Sequence, residues 1–176
     1  DAATGLFNRR YLDDSIEGFA EGSRREGGGF SFAMFDLDHF GSLNAAWGTE
    51  FCDRLILAVA AAFRKVFGEE DVLVRYGGDE FCFIMPGGEG EAEGKCEAVC
   101  AELRSLRFPE HPSLRISCSI GLAHATAAGP GVAELRERAD KALYMAKEAG
   151  RDRAVAWPGR TVEGPKRDIP SLARKN

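Results

Sequence analysis

Two short apolar runs, Val72 to Tyr76 and Glu80 to Met85, meet at an adjacent glycine pair, Gly77 and Gly78. Such a junction signals a tight β-hairpin, because glycine accepts the positive φ that short turns demand. A lone hairpin is marginal in water and needs further strands or a helix to cover its apolar face. The rest of the chain supplies both. Phe30 to Leu37, rich in Phe and Met with an acidic end, reads as a central strand, and Leu114 to His124 as a further strand region. Ala154 to Trp157 reads as a short edge strand.

Helical spacing fills the intervals. Leu12, Ile16 and Phe19 recur within Asn8 to Arg25, and Leu55, Val59, Ala62, Phe63 and Val66 within Thr49 to Phe67. A polar helix is expected from Gly90 to Leu106. After Pro130 and Gly131 a last helix lines up Leu135, Ala139, Ala142, Leu143 and Ala146 before Gly150 closes it. The order of elements gives an α/β (α+β) sandwich, a mostly antiparallel central sheet flanked by helices. One domain is expected over residues 1–157. From Pro158 to Asn176, Pro, Gly and charges dominate without a period, which reads as a mobile C-terminal tail.

Charge narrows the function. With 23 basic and 28 acidic residues the net charge is −5, so nothing draws in a polyanion, and neither nucleic acid nor an anionic membrane surface is an expected partner. A small anionic ligand would need local cations or a metal. The longest apolar run, Leu55 to Phe63, is too short to span a bilayer, and no signal-peptide pattern opens the chain. The odd set Cys52, Cys82, Cys96, Cys100 and Cys118 suits buried free thiols in a reducing, cytoplasmic compartment better than a disulfide framework. Cys96 and Cys100 lack the second Cys/His pair of a zinc site.

Chemistry concentrates in three places. Asp36 and Asp38 close the first strand, where alternation puts both on one side and Leu37 toward the core. Paired carboxylates there suit a hard divalent cation carrying phosphate, although a solvated acidic turn would look the same. An EF-hand is excluded, since Phe40 stands at a ligand position and Trp47 replaces the closing Glu. At the hairpin tip Asp79 and Glu80 adjoin the glycines; if this hairpin lies beside the first strand, Asp79 meets Asp36, and two like charges call for a cation between them. Lys147 and Arg151, four apart at the end of the last helix, could share a face toward a polyphosphate or simply complement the helix dipole.

Arg75-Tyr76-Gly77-Gly78-Asp79-Glu80-Phe81 resembles the signature of the GGDEF domains, the diguanylate cyclases. Spaced matches accompany it: Asp1 to Arg10 is similar to the family's N-terminal turn, with Ala3 where Leu is usual; Phe35 to Phe40 resembles its metal-binding strand end. Ile120-Gly121, Ala139 to Lys147 and Gly150-Arg151 resemble its closing elements. The resemblance implies a palm-like nucleotidyl cyclase fold and the condensation of two GTP into cyclic di-GMP and two pyrophosphates. By position it implies that Asp36, the Leu37 carbonyl and Asp79 hold Mg²⁺ (or Mn²⁺), and that Asp79 or Glu80 helps deprotonate the 3′-hydroxyl. The backbone near His39 and Phe40 would cradle phosphates, Gly77 and Gly78 would let backbone approach the substrate, and Lys147 and Arg151 would clamp the terminal phosphate. Asn44 and Asp53 match guanine-reading positions; a carboxylate accepts from guanine N1–H and its 2-amino group, which adenine does not offer. The resemblance further implies a face-to-face homodimer, driven by an upstream regulatory domain of which this chain would be the catalytic fragment.

Three departures weigh against full activity. Gly41 replaces the usual Lys beside the phosphates, and Ala45 and Thr49 replace the usual Asp and His near the base pocket. They keep open a second reading, a catalytically weak or inactive GTP-binding regulatory module. Gly68-Glu69-Glu70-Asp71 stands where an inhibitory RxxD product site would lie. Without its Arg, feedback inhibition is expected to be weak or absent, and submicromolar binding of cyclic di-GMP would contradict this. Cys52, near the expected base pocket, reads as a buried small hydrophobe.

Overall fold

The computed structural model describes residues 1–162. Its elements run β1 (Phe7–Asn8), α1 (Arg9–Arg25), β2 (Phe30–Leu37), α2 (Phe40–Val66), β3 (Val72–Arg75), β4 (Glu80–Pro86), α3 (Glu89–Ser105), β5 (Cys118–Ala125), α4 (Val132–Glu148), β6 (Arg153–Ala156) and β7 (Arg160–Thr161). The strands form one sheet in the order β1-β3-β4-β2-β5-β6-β7. The Phe-rich strand β2 lies at its centre, antiparallel to both β4 and β5. Only β1–β3 and β5–β6 pair in parallel among the described strands. The mostly antiparallel sheet flanked by helices matches the expected fold class.

Alternation along β2 and β4 divides the core between the two sheet faces. Phe35, Phe81 and Phe83 meet Phe63 of α2 edge-on, with Phe63 ring centroids 5.1, 5.1 and 4.9 Å away. This aromatic cluster and the apolar sides of α2 and α3 fill one face. Phe30, Phe32, Cys82 and Ile84 point the other way, toward Leu12 and Ile16 of α1 and Leu135 and Ala139 of α4. Gly121 of β5 sets how close α4 comes. A Cβ there would lie 2.0 Å from Leu143 N and 2.1 Å from Ala139 O, so the helix rests directly on the strand. That seating brings the C-terminal end of α4 over the acidic end of β2.

Five details differ from the sequence reading. Gly77 and Gly78 do not adopt the left-handed region, so positive φ is not what the pair supplies. Instead, a Cβ on Gly77 would sit 2.8 Å from Glu80 Oε2, the mobile end of an exposed side chain, and one on Gly78 would meet open space. Helix α2 begins at Phe40 rather than Thr49, broken at Gly48 (φ 78°, ψ 172°). Its first part is largely exposed and carries no apolar period, so hydrophobic spacing could not reveal it. Strand β5 starts at Cys118; Leu114 and Ile116 are buried without ladder pairing. The short β1 escaped detection altogether.

Finally, β6 is covered by β7 and is not an edge. The expected tail therefore begins later than Pro158: β7 is paired, Val162 N donates to Ala154 O at 3.0 Å, and the Val162 side chain is in the core. The remainder of the expected tail, 163–176, lies outside the described residues.

Candidate active site

Asp36 continues the row Phe30, Phe32, Met34 along the α1/α4 face of β2, where solvent replaces core at the strand end. Its register partner on β4 is Glu80, which sets the turn Gly77–Asp79 beside that end. Leu37 N donates to Asp79 O at 3.3 Å, while Tyr76 N and Gly77 N both donate to Glu80 O at 2.8 and 3.1 Å. Arg75 pins the turn from outside: Nε and Nη2 donate to Gly78 O at 3.3 and 2.9 Å, and Nη1 reaches Asp1 Oδ1 at 3.3 Å.

Three charged groups meet at this corner. Lys147 Nζ of α4 lies 2.8 Å from Asp36 Oδ2. The Asp79 carboxyl is pushed above the ordinary carboxylate range by burial and then by the Asp36 charge, against the pull of its own backbone hydrogen bond and of Lys147. One ammonium facing two carboxylates leaves a deficit of positive charge. Among the described residues no group of three or more His, Cys, Asp or Glu side chains is arranged around a metal position. The donor chemistry nevertheless fits a hard divalent cation that carries phosphate, because such an ion takes one or two protein carboxylates and draws its remaining oxygens from phosphate and water.

The neighbouring Asp38 has another task. Its carboxylate accepts from Ser119 Oγ and Ser117 Oγ, both at 2.7 Å, and from Asp152 N at 3.0 Å. Sequence reasoning could not find these partners, which lie 79 to 114 positions away.

His39 is exposed at φ 61°, and turns the chain from β2 into α2, where its carbonyl accepts from Ser42 N and Leu43 N. The N–H groups of Phe40 and Gly41, which precede these bonds, have no acceptor within the helix and suit an anion. Phe40 is half-buried, and Gly41 is exposed with open space where a side chain would project. Asn44 and Asp53 are exposed on α2, on either side of the break at Gly48. Cys52 is buried, and burial together with the Asp53 charge raises its thiol pKa. Lys147 and Arg151 do not share a helical face, because α4 stops at Glu148 and Arg151 sits in a left-handed turn beyond it. Lys147 turns to Asp36, and Arg151 is exposed.

The model of the diguanylate cyclase GGDEF domain matches residues 1–153. The chain belongs to the GGDEF domain family. This GGDEF domain is 34% identical over 159 residues to the probable diguanylate cyclase DgcC of Escherichia coli K12, covering 87% of this chain and 42% of that protein. It is 36% identical over 155 residues to diguanylate cyclase DgcP of Pseudomonas aeruginosa, covering 87% and 23%. The chain thus spans less than half of either relative. Among solved structures, the coiled coil and GGDEF domain of DgcB from Caulobacter crescentus, in complex with c-di-GMP, aligns with a TM-score of 0.81 and 30% identity over 89% of this chain and 84% of that one. Diguanylate cyclase SiaD of Pseudomonas aeruginosa, in complex with its activator SiaC, aligns with a TM-score of 0.81 and 33% identity over 89% and 60%.

The GGDEF domain also shows what became of the expected inhibitory position. The Asp71 side chain is fully buried, 2.9 Å from Lys95 Nζ through both carboxylate oxygens, and accepts from Gly68 N at 2.9 Å.

Proposed function

We propose that this domain condenses two GTP into cyclic di-GMP with release of two pyrophosphates. The observation that carries the reading is the convergence of Asp36, Asp79 and Lys147 from three separate stretches of chain at one partly solvated corner. Asp36, the Leu37 carbonyl and Asp79 would hold Mg²⁺ or Mn²⁺. When bound, the ion offsets charge developing on the triphosphate and aligns it for in-line attack at the α-phosphate.

The protein's own groups do the rest. Asp79 or Glu80 takes the proton of the attacking 3′-hydroxyl; Glu80 is exposed at the first position of β4, directly across from Asp36. The first-turn amides after His39 and Phe40 receive phosphate oxygens, and the glycine turn keeps side chains from the backbone on that approach. Lys147 and Arg151 would take the terminal phosphate, and a divalent ion held by Asp36 would supply there the countercharge that Lys147 now gives. Asp53 accepts from guanine N1–H and its 2-amino group, with Asn44 beside the base, so that ATP would leave the carboxylate unpaired.

Each domain holds one GTP, so product requires two loaded copies face to face, and an upstream regulatory segment would set how often they meet. DgcB and SiaD carry such surroundings in their solved forms, a coiled coil and an activator protein respectively. No helix among the described residues is long and apolar enough to cross a membrane, and the five cysteines are buried free thiols. Both features suit a cytoplasmic domain.

Gly41 favours the second reading, a GTP-binding regulatory module with little turnover, since no cation projects from that position. Artificially dimerised protein incubated with GTP and Mg²⁺ separates the two. Cyclic di-GMP and pyrophosphate support the cyclase; GTP bound without turnover, even with Mn²⁺, supports the regulatory module.

A further inference from the structure

In the α4–β6 connection the chain stays in the left-handed region for two residues beyond Gly150, the glycine that closes α4. Gly150, Arg151 and Asp152 follow one another at φ 104°, 63° and 50°, two of them residues with side chains in the left-handed region. Such conformations are uncommon for residues with a Cβ and persist where the surroundings enforce them. The helix end holds the start of the turn, through Arg151 N to Ala146 O at 3.0 Å and Arg153 Nε to Arg151 O at 2.8 Å, and two side chains fix its Asp152 end. From inside, the Asp38 carboxylate, only 6% exposed, receives Asp152 N at 3.0 Å while both serine hydroxyls hold the carboxylate. From outside, Arg104 of α3 donates from Nε to Asp152 Oδ1 at 2.8 Å and from Nη2 to Asp152 O at 2.9 Å. The turn thus held begins with Arg151, and Asp38 lies two residues from Asp36, the partner of Lys147.

We infer that Asp38 is a positioning residue: it binds no substrate but fixes the Arg151–Asp152 turn against the end of β2, setting the distance between the phosphate-clamping cation and the metal-binding carboxylates. This rests on the proposed GTP site. It assigns the second acid of the Asp36-Leu37-Asp38 cluster to the geometry of the clamp and not to the metal. Arg104 is the outer half of the same brace.

The test measures GTP affinity with Ca²⁺, which substitutes for Mg²⁺ without supporting rapid turnover, and amide hydrogen exchange over residues 146–155. Wild type, Asp38→Ala, Asp38→Asn, Arg151→Ala and the Asp38→Ala/Arg151→Ala pair are compared. Asp38→Ala is expected to speed exchange at Asp152 and to weaken GTP about tenfold, the scale of one lost charged contact. In the Arg151→Ala background the same change should matter less than about twofold, because coupled residues are non-additive. Asp38→Asn keeps an oxygen for Asp152 N and recovers most of the affinity. If Asp38→Ala fails to fold, Arg104→Ala loosens the turn from outside and should weaken GTP only when Arg151 is present. Equal losses with and without Arg151, or unchanged exchange at Asp152, would overturn the inference. Wild-type protein that binds no GTP overturns the proposed site itself, in the first titration and before any variant.

Discussion

The two ends of the β3–β4 hairpin carry one aspartate each, and they are opposites. Asp71, just before β3, is fully buried and satisfied by Lys95 and by a backbone N–H. Asp79, just before β4, is half-buried, faces the like charge of Asp36, and is held above the usual carboxylate range by burial and that repulsion. One acid has been given everything a folded protein can give it. The other is left short of positive charge, and an incoming ion with its nucleotide would make up the difference. Unbalanced charge marks the site; balanced charge marks the scaffold.

Breaking the unbalanced end should have the largest effect. Asp79→Asn is expected to lower cyclic di-GMP formation at least about 100-fold, measured chromatographically on dimerised protein. It should at the same time raise thermal stability at neutral pH. The sign follows from linkage: an acid whose folded pKa lies above its unfolded one binds more protons when folded, so stability falls as pH rises between the two. The asparagine therefore gains melting temperature at neutral pH and loses that gain as pH drops below the ordinary carboxylate range.

The balanced end should respond in the opposite sense. Asp71→Ala leaves Lys95, among the described residues, with the more exposed Glu91 and Glu70, and is expected to cost about 3 kcal/mol in urea unfolding, the low end for a broken buried pair. Specific activity per folded molecule should not change. Burial works against the Lys95 charge, but hydrogen bonds to Asp71 and Glu91 outweigh it and hold the pKa above the usual lysine value. The stability contributed by the Lys95 charge is thus present at neutral pH and is lost as pH rises through that elevated range.

Two smaller effects sharpen the contrast. Gly41 lies exposed in the first turn of α2 with open space where a Cβ would point, so Gly41→Lys fits without displacing anything. It should raise turnover about tenfold by placing a cation near the transferring phosphate. With Asp71 engaged by Lys95 and Gly68 in place of an arginine, calorimetric titration with cyclic di-GMP should show no submicromolar site.

Much of this was legible in the chain. Period and glycine punctuation placed α1, β2, the hairpin and α4 within a residue or two, because each buries a regular apolar row. The first part of α2 was not, since it is exposed and owes its start to a left-handed His39. β1 and β7 are two residues each and exist only because a neighbouring strand pairs with them. At the site, Asp36 and Asp79 could be brought together on paper by laying the hairpin against β2. The role of Asp38 could not: its partners Ser117, Ser119 and Asp152 come from the approach to β5, from β5 itself and from the α4–β6 turn, and only the folded sheet joins them. Spacing also misled once, because Lys147 and Arg151 stand four apart across a helix end.

The proposal that Asp36 and Asp79 share one divalent ion is tested most directly by paramagnetic broadening. Mn²⁺ added with GTP to isotope-labelled protein should first broaden the amide resonances of Asp36, Leu37, Gly78 and Asp79, before those around Asp71, and either Asp36→Asn or Asp79→Asn should abolish the effect. Broadening centred on Asp71, or unchanged in both variants, would contradict the assignment of the metal and nucleotide to this corner.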